Sequence, residues 1–183
     1  MKGDFSVLLD ACVLVPMPLV DTLLRLAAGP RLYRPKWSDQ IMVEVSRTLQ
    51  ESFSLSAQKA IYRENEIRRH FSEAWIEGYE ELIPAMTNHL KDRHVLAAAA
   101  RAGVKVIVTY NLKDFPSSSL APYSITAQGP SAFLKNLYDK APTEVMQTLE
   151  AQATAIGQPM SYLFSRLRVN VPAFVAMIEE QTS

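Results

Sequence analysis

Carboxylates from four separate stretches of this chain can be brought to one place. Asp10 ends the apolar run FSVLLDACVLVP, Glu44 lies in WSDQIMVEV, Asp92 in KDRHVLAAAA, and Asn111 with Asp114 in IVTYNLKDFP. Hard divalent cations such as Mg²⁺ and Mn²⁺ take oxygen ligands, and Mg²⁺ keeps several waters, so three or four carboxyl or amide oxygens from separate elements suit such an ion. A cation held there lowers the pKa of a bound water and offsets charge on a phosphate. Carboxylates so crowded repel one another when all are ionised, which is the physical reason to expect metal dependence. Each residue also has a plainer reading. Asp10 alone could be a helix cap or turn acid, Glu44 a solvated helix acid, and Asp92 a first-turn acid that complements a helix dipole.

The elements that must position these groups read as an α/β domain. Val7, Leu8 and Leu9 are continuous rather than alternating, so they predict a strand buried on both faces of a parallel sheet. Val104–Thr109 is equally continuous and β-branched, and predicts a second central strand. Both runs end in polar groups, and ligands bind open α/β sheets beyond the C-terminal ends of the strands. Shorter strands are predicted over 31–35, 80–84 and 122–126. Leu19, Leu23, Leu24 and Leu26 give a helix face closed by Gly29-Pro30, and Ser38 is a good N-cap for a helix whose Ile41, Val45 and Leu49 share one face. Glu44 borders that face. Residues 55–71 form a basic amphipathic helix, either a solvated surface or one that faces RNA or a partner. After Gly129-Pro130 only helical patterns follow. The organisation expected is an α/β domain over residues 1–129 and a helical C-terminal extension over 130–183 that packs on the domain or on a second subunit.

The composition is that of an ordinary globular protein: 183 residues, 48% hydrophobic, 21% charged, with a formal net charge of zero. Zero net charge argues against a broadly basic nucleic-acid binder but allows local clusters of cations. No apolar stretch is long enough for a transmembrane helix. Asp4 and the immediate start of a strand do not read as a signal peptide. A single cysteine, Cys12, excludes an intrachain disulfide and fits a reducing compartment; its apolar neighbours favour packing over nucleophilic chemistry. Cys12 also stands where a haloacid-dehalogenase-like phosphatase would need a second aspartate. No glycine-rich phosphate loop is present, and no two histidines have a zinc spacing. His94, two residues past Asp92, is expected on a different helix face from it.

In order and interval, Asp10 after an N-terminal strand, Glu44 in WSDxIxxEV, Asp92 in DRHVLAAA and the TYNLKDFP stretch resemble the PIN-domain family, and most of all the VapC-type ribonuclease toxins of toxin–antitoxin systems. The resemblance spans about residues 5–129. It implies a three-layer α/β/α fold with a mainly parallel sheet, Mg²⁺ or Mn²⁺ held by acids, cleavage of RNA in the cytoplasm, a cognate antitoxin that inserts a segment into the cleft, and a homodimer. Carried over by motif, Asp10, Glu44 and Asp92 match the core acids. The fourth place falls on Asn111 or Asp114, and the sequence leaves both open. The catalytic set is then Asp10, Glu44, Asp92 and Asp114, with Asn111 as a further metal ligand. Thr109 is placed to support Asp10 or a water. Arg31, Arg34, Lys36 and Arg93 are candidates for phosphate contact near the acids, or else solvated surface charges. The residues before Asp92, Asn88-His89-Leu90-Lys91, depart from the acid and proline usual in the family. The competing reading is a catalytically idle PIN-like module that binds RNA or a protein.

Overall fold

Central strands must bury both faces, and the two apolar runs do so. In a computed structural model, which describes residues 5–182, Ser6–Leu9 forms β1 and Val106–Val108 forms β4, with Val7, Leu8, Leu9, Ile107 and Val108 fully buried. Asp4 lies outside the described residues. The other strands are β2 (Arg34–Ser38), β3 (Trp75–Ile76) and β5 (Thr126–Gln128). All pairings are parallel, in the order β3-β2-β1-β4-β5. From β1 the chain winds one way to β2 and β3, and the other way to β4 and β5. The order therefore reverses between β1 and β4, and the crevice of such a sheet opens beyond the C-terminal ends of those two strands.

The helices are α1 (Ala11–Leu14), α2 (Leu19–Ala28), α3 (Asp39–Phe53), α4 (Ala57–His70), α5 (Arg93–Arg101), α6 (Ser117–Leu120), α7 (Pro130–Lys140), α8 (Pro142–Ala155), α9 (Met160–Leu167) and α10 (Pro172–Thr182). They flank the sheet in the expected three-layer α/β arrangement with C-terminal helices. Ser38 caps α3 as predicted, its Oγ accepting from the Ile41 N–H at 3.2 Å. α5 packs five fully buried residues, Val95–Ala99, and its run of alanines allows close approach to the sheet.

Three strand boundaries differ from expectation. The run 31–35 does not open a strand at Arg31, whose φ of 54° is left-handed; β2 starts at Arg34 and extends to Ser38. Residues 80–84 are not a strand but lie in a 3₁₀ helix, Glu80–Ala85, and the edge position is filled instead by Trp75–Ile76. The last strand is Thr126–Gln128, because Ala121–Tyr123 makes a 3₁₀ turn first. The basic helix α4 spends part of its charge internally. Arg63 donates to the Leu14 carbonyl at 2.6 Å, and Arg68 pairs with Asp39 at 2.9 Å while lying 3.5 Å over the Trp75 ring.

The C-terminal helices pack on the α/β body through a shared core. Tyr33 meets Phe133 edge-to-face at 5.0 Å. Gln152, 1% exposed, accepts from the Thr22 hydroxyl at 2.7 Å and donates to the Pro18 carbonyl at 3.2 Å. Truncating it leaves buried polar partners short of a bond. Gln152→Ala should therefore lower unfolding stability by about 2 kcal/mol in urea titration, whereas a surface change such as Gln158→Ala should cost less than about 0.5 kcal/mol.

Candidate active site

The acids gather at the reversal point of the sheet. Asp10 follows β1 directly and Thr109 follows β4, so adjacent parallel strands deliver them side by side. Asp10 is 3% exposed. Its Oδ1 accepts from the Ala11 N–H at 2.7 Å, capping α1, and its Oδ2 accepts from the Thr109 hydroxyl at 2.7 Å and from the Cys12 thiol at 3.4 Å. Thr109 Oγ1 in turn accepts from the Asn111 N–H at 3.0 Å. Asp10 thus does cap a helix, and its carboxylate is fixed in place by the same bonds. Burial pushes its pKa up, against these hydrogen bonds, and the Glu44 charge adds to the rise. That Coulombic coupling puts Glu44 in the same electrostatic site.

Asp92 is carried by a 3₁₀ turn, Leu90–Asp92, and stands at the N-terminus of α5 without capping it through its side chain. Its pKa is pushed up to about 6 by burial, then by the negative charges of Asp10 and Asp114, against His89 and His94. Asp114 ends the 3₁₀ turn Leu112–Asp114. The ligand atoms of Asp92, Asp114 and His89 lie within 4.8 Å of one another. Asn111 is exposed, and its carbonyl accepts from the Asp114 N–H at 2.9 Å. Asp10 and Glu44, Asp10 and Asp92, and Asp92 and Asp114 feel one another's charge. Among the described residues His89, Asp92 and Asp114 are the group whose ligand atoms lie close enough for one divalent cation.

The basic candidates divide. Arg93, half-buried, directly follows Asp92 in the chain and donates to the Asn88 carbonyl at 3.3 Å. Arg31, Arg34 and Lys36 lie farther from the acids. In the parallel register Arg34 lies opposite Ser6 and Lys36 opposite Leu8, so Arg34 sits four residues, or about 13 Å, back from the level of Asp10. The three line a cavity of about 630 Å³ at that other end, with Ser6, Tyr33 and His70. Lys36 Nζ donates to the Glu73 carbonyl there.

His94, two residues past Asp92, turns inward toward α3. It is 3% exposed, and its Nε2 stands 3.0 Å from Glu44 Oε1. The contact is not aligned as a hydrogen bond, and neither ring nitrogen has a hydrogen-bond partner among the described residues. His94 thus ties the helix that carries Glu44 to the one that follows Asp92. Losing such an outer partner costs roughly 10–100-fold. His94→Leu should lower kcat/KM by about that factor, and His94→Gln, which keeps a donor near the same place, should recover part of it.

Cys12 behaves as a packed thiol: burial and the neighbouring Asp10 charge push its pKa up to about 12. Tyr110, next to Thr109, donates its hydroxyl to the Asn170 carbonyl at 2.9 Å, so the segment between α9 and α10 reaches the rim of the site.

The chain is 47% identical over 103 residues to a Mycobacterium tuberculosis protein named "Putative ribonuclease VapC50", a match that covers 54% of this chain and 60% of that protein. The chain thus spans less than two thirds of the relative's length. No protein-family profile matches the chain. No solved structure matches it. The resemblance to the VapC-type ribonucleases of the PIN-domain family is borne out at the level of the chain: it is similar to a protein that carries that name.

Proposed function

We propose that this protein is a metal-dependent endoribonuclease that cleaves RNA phosphodiester bonds and acts as the toxin of a toxin–antitoxin pair. The observation that carries the reading is the buried carboxylate of Asp10, fixed by Thr109 and Ala11, with Asp92 nearby, whose pKa is raised to about 6 first by burial and then by the charges of Asp10 and Asp114. Uncompensated anions at this density are costly, and a divalent cation is the simplest compensation. Mg²⁺ or Mn²⁺ would be held by Asp10, Glu44, Asp92 and Asp114, with Asn111 within the same loop as an outer oxygen donor. When bound, such an ion activates a water and offsets charge on the scissile phosphate. The protein's own groups do the rest. Thr109 and the α1 N-terminus orient Asp10. His94 restrains Glu44. Asp92 and Glu44 are placed to accept a proton at the edge of the site. Arg93 supplies the cation next to the acids for the RNA backbone.

RNA is then the substrate, a cognate antitoxin the inhibitor and the cytoplasm the place of action; a homodimer follows from the same family reading. No described helix is long and apolar enough to cross a membrane. The reading is tested in cells. Induced expression of the wild type should arrest growth and Asp92→Asn should not, at equal protein level. Arrest that persists in Asp92→Asn would point instead to the idle binding module, which acts by holding RNA or a protein without cutting.

A further inference from the structure

The segment ahead of Asp92 carries His89 where the family usually has other residues. Its placement is fixed by backbone. The His89 N–H donates to the Asp114 carbonyl at 3.2 Å, and the Asp92 N–H donates to the His89 carbonyl at 2.9 Å. The loop before α5 and the loop after β4 are therefore tied together at this residue. The imidazole faces the acids, with Nδ1 3.8 Å from Asp92 Oδ2, and the ligand atoms of His89, Asp92 and Asp114 fall within 4.8 Å of one another. Ligands about 2.1 Å from one ion lie about 3–4 Å apart, so a small closing motion suffices. His89 is 51% exposed and can make that motion. On α5, next to this group, the buried His94 places its Nε2 3.0 Å from Glu44 Oε1, so an imidazole also meets an acid there.

We propose that His89 is a nitrogen ligand of the metal centre, which makes this site prefer first-row transition ions such as Mn²⁺ and Co²⁺ to Mg²⁺. The proposal rests on the metal-nuclease reading above and adds a ligand of a different kind. An all-oxygen site suits Mg²⁺, Ca²⁺ and Mn²⁺ alike, whereas imidazole raises affinity along the transition series and gives little to Mg²⁺. Asp92 is shared between the Asp10 side of the site and the His89–Asp114 side, so one carboxylate links the nitrogen ligand to the buried acid.

The test uses metal-free protein and needs no RNA. Mn²⁺ and Mg²⁺ are titrated into wild type and His89→Ala by calorimetry, and the Mn²⁺-loaded samples are examined by pulsed electron paramagnetic resonance for coupling to ¹⁴N. Wild type should show nitrogen coupling that His89→Ala lacks. The variant should bind Mn²⁺ at least about 10-fold more weakly, with Mg²⁺ affinity changed by less than about 2-fold. Mn²⁺ bound without nitrogen coupling, or coupling that survives in His89→Ala, overturns the proposal and leaves the nuclease reading standing. Absence of Mn²⁺ binding in wild type overturns both, and RNA cleavage that survives chelator would then show that the acids work without an ion.

Discussion

Asp10→Asn should fold, bind RNA and fail to cut it, with cleavage down by at least about 100-fold, beyond the range expected for loss of an outer partner. The amide is nearly the same shape, and its oxygen can keep the bond from the Ala11 N–H. What is lost is the negative charge, which the site holds at a cost: burial works against ionisation of this group. Removing the charge from the metal-free protein should therefore leave the melting temperature at pH 7 no lower than that of wild type. The two readouts together separate a chemical role from a structural one. A helix cap alone, the plainer reading of Asp10, predicts unchanged stability and retained cleavage, because asparagine caps a helix as well as aspartate does.

The second large effect concerns pH and metal. Asp92 has a folded pKa of about 6 against an ordinary value of 3.8. Below about 3.8 the group is protonated in both the folded and unfolded chain, and no penalty applies. As pH rises through 3.8 toward 6 the unfolded chain releases its proton first, so the folded state loses relative stability, and above about 6 the loss is complete. After allowance for solvent screening the loss from this group is about 1–2 kcal/mol. In metal-free protein the melting temperature of Asp92→Asn should therefore exceed that of wild type by a margin that grows between pH 4 and pH 6, reaching roughly 2–8 °C. Saturating Mn²⁺ at pH 7.5 should raise wild type and close the gap, since a ligand that binds only the folded state stabilises it. A margin that shrinks with rising pH would mean that Asp92 is stabilised by its surroundings, and the crowding of acids would then be wrong.

The parts of the fold that were legible in the sequence are those where burial dictates composition. β1 and β4 are central, so Val7–Leu9 and the Val106–Val108 stretch had to be apolar without interruption, and Asp10 and Thr109 stood out by ending those runs. Ser38 was legible because a cap is local chemistry. The edge elements were not. β3 is two residues long, too short for a periodic signal, and the Glu80–Pro84 run that looked like a strand forms a 3₁₀ helix with Pro84 inside it. The site was legible in its acids and illegible in its surroundings, for reasons of geometry. Arg31, Arg34 and Lys36 stand near the start of β2, and in a parallel sheet the start of every strand lies at the edge away from the crevice. The contact of His94 with Glu44 was not legible because it joins two helices that lie far apart in sequence. His89 gave a signal as a departure from the usual motif, but only the tie to Asp114 shows where it points.

The most direct test of the central claim is cleavage of a mixed cellular RNA pool by purified wild type with Mn²⁺, with Mg²⁺ and with chelator. The account predicts discrete fragments with a divalent ion, none with chelator, and recovery when the ion is restored. Fragments that persist in chelator would contradict the metal centre, and no cleavage by folded, metal-loaded protein would contradict the nuclease itself.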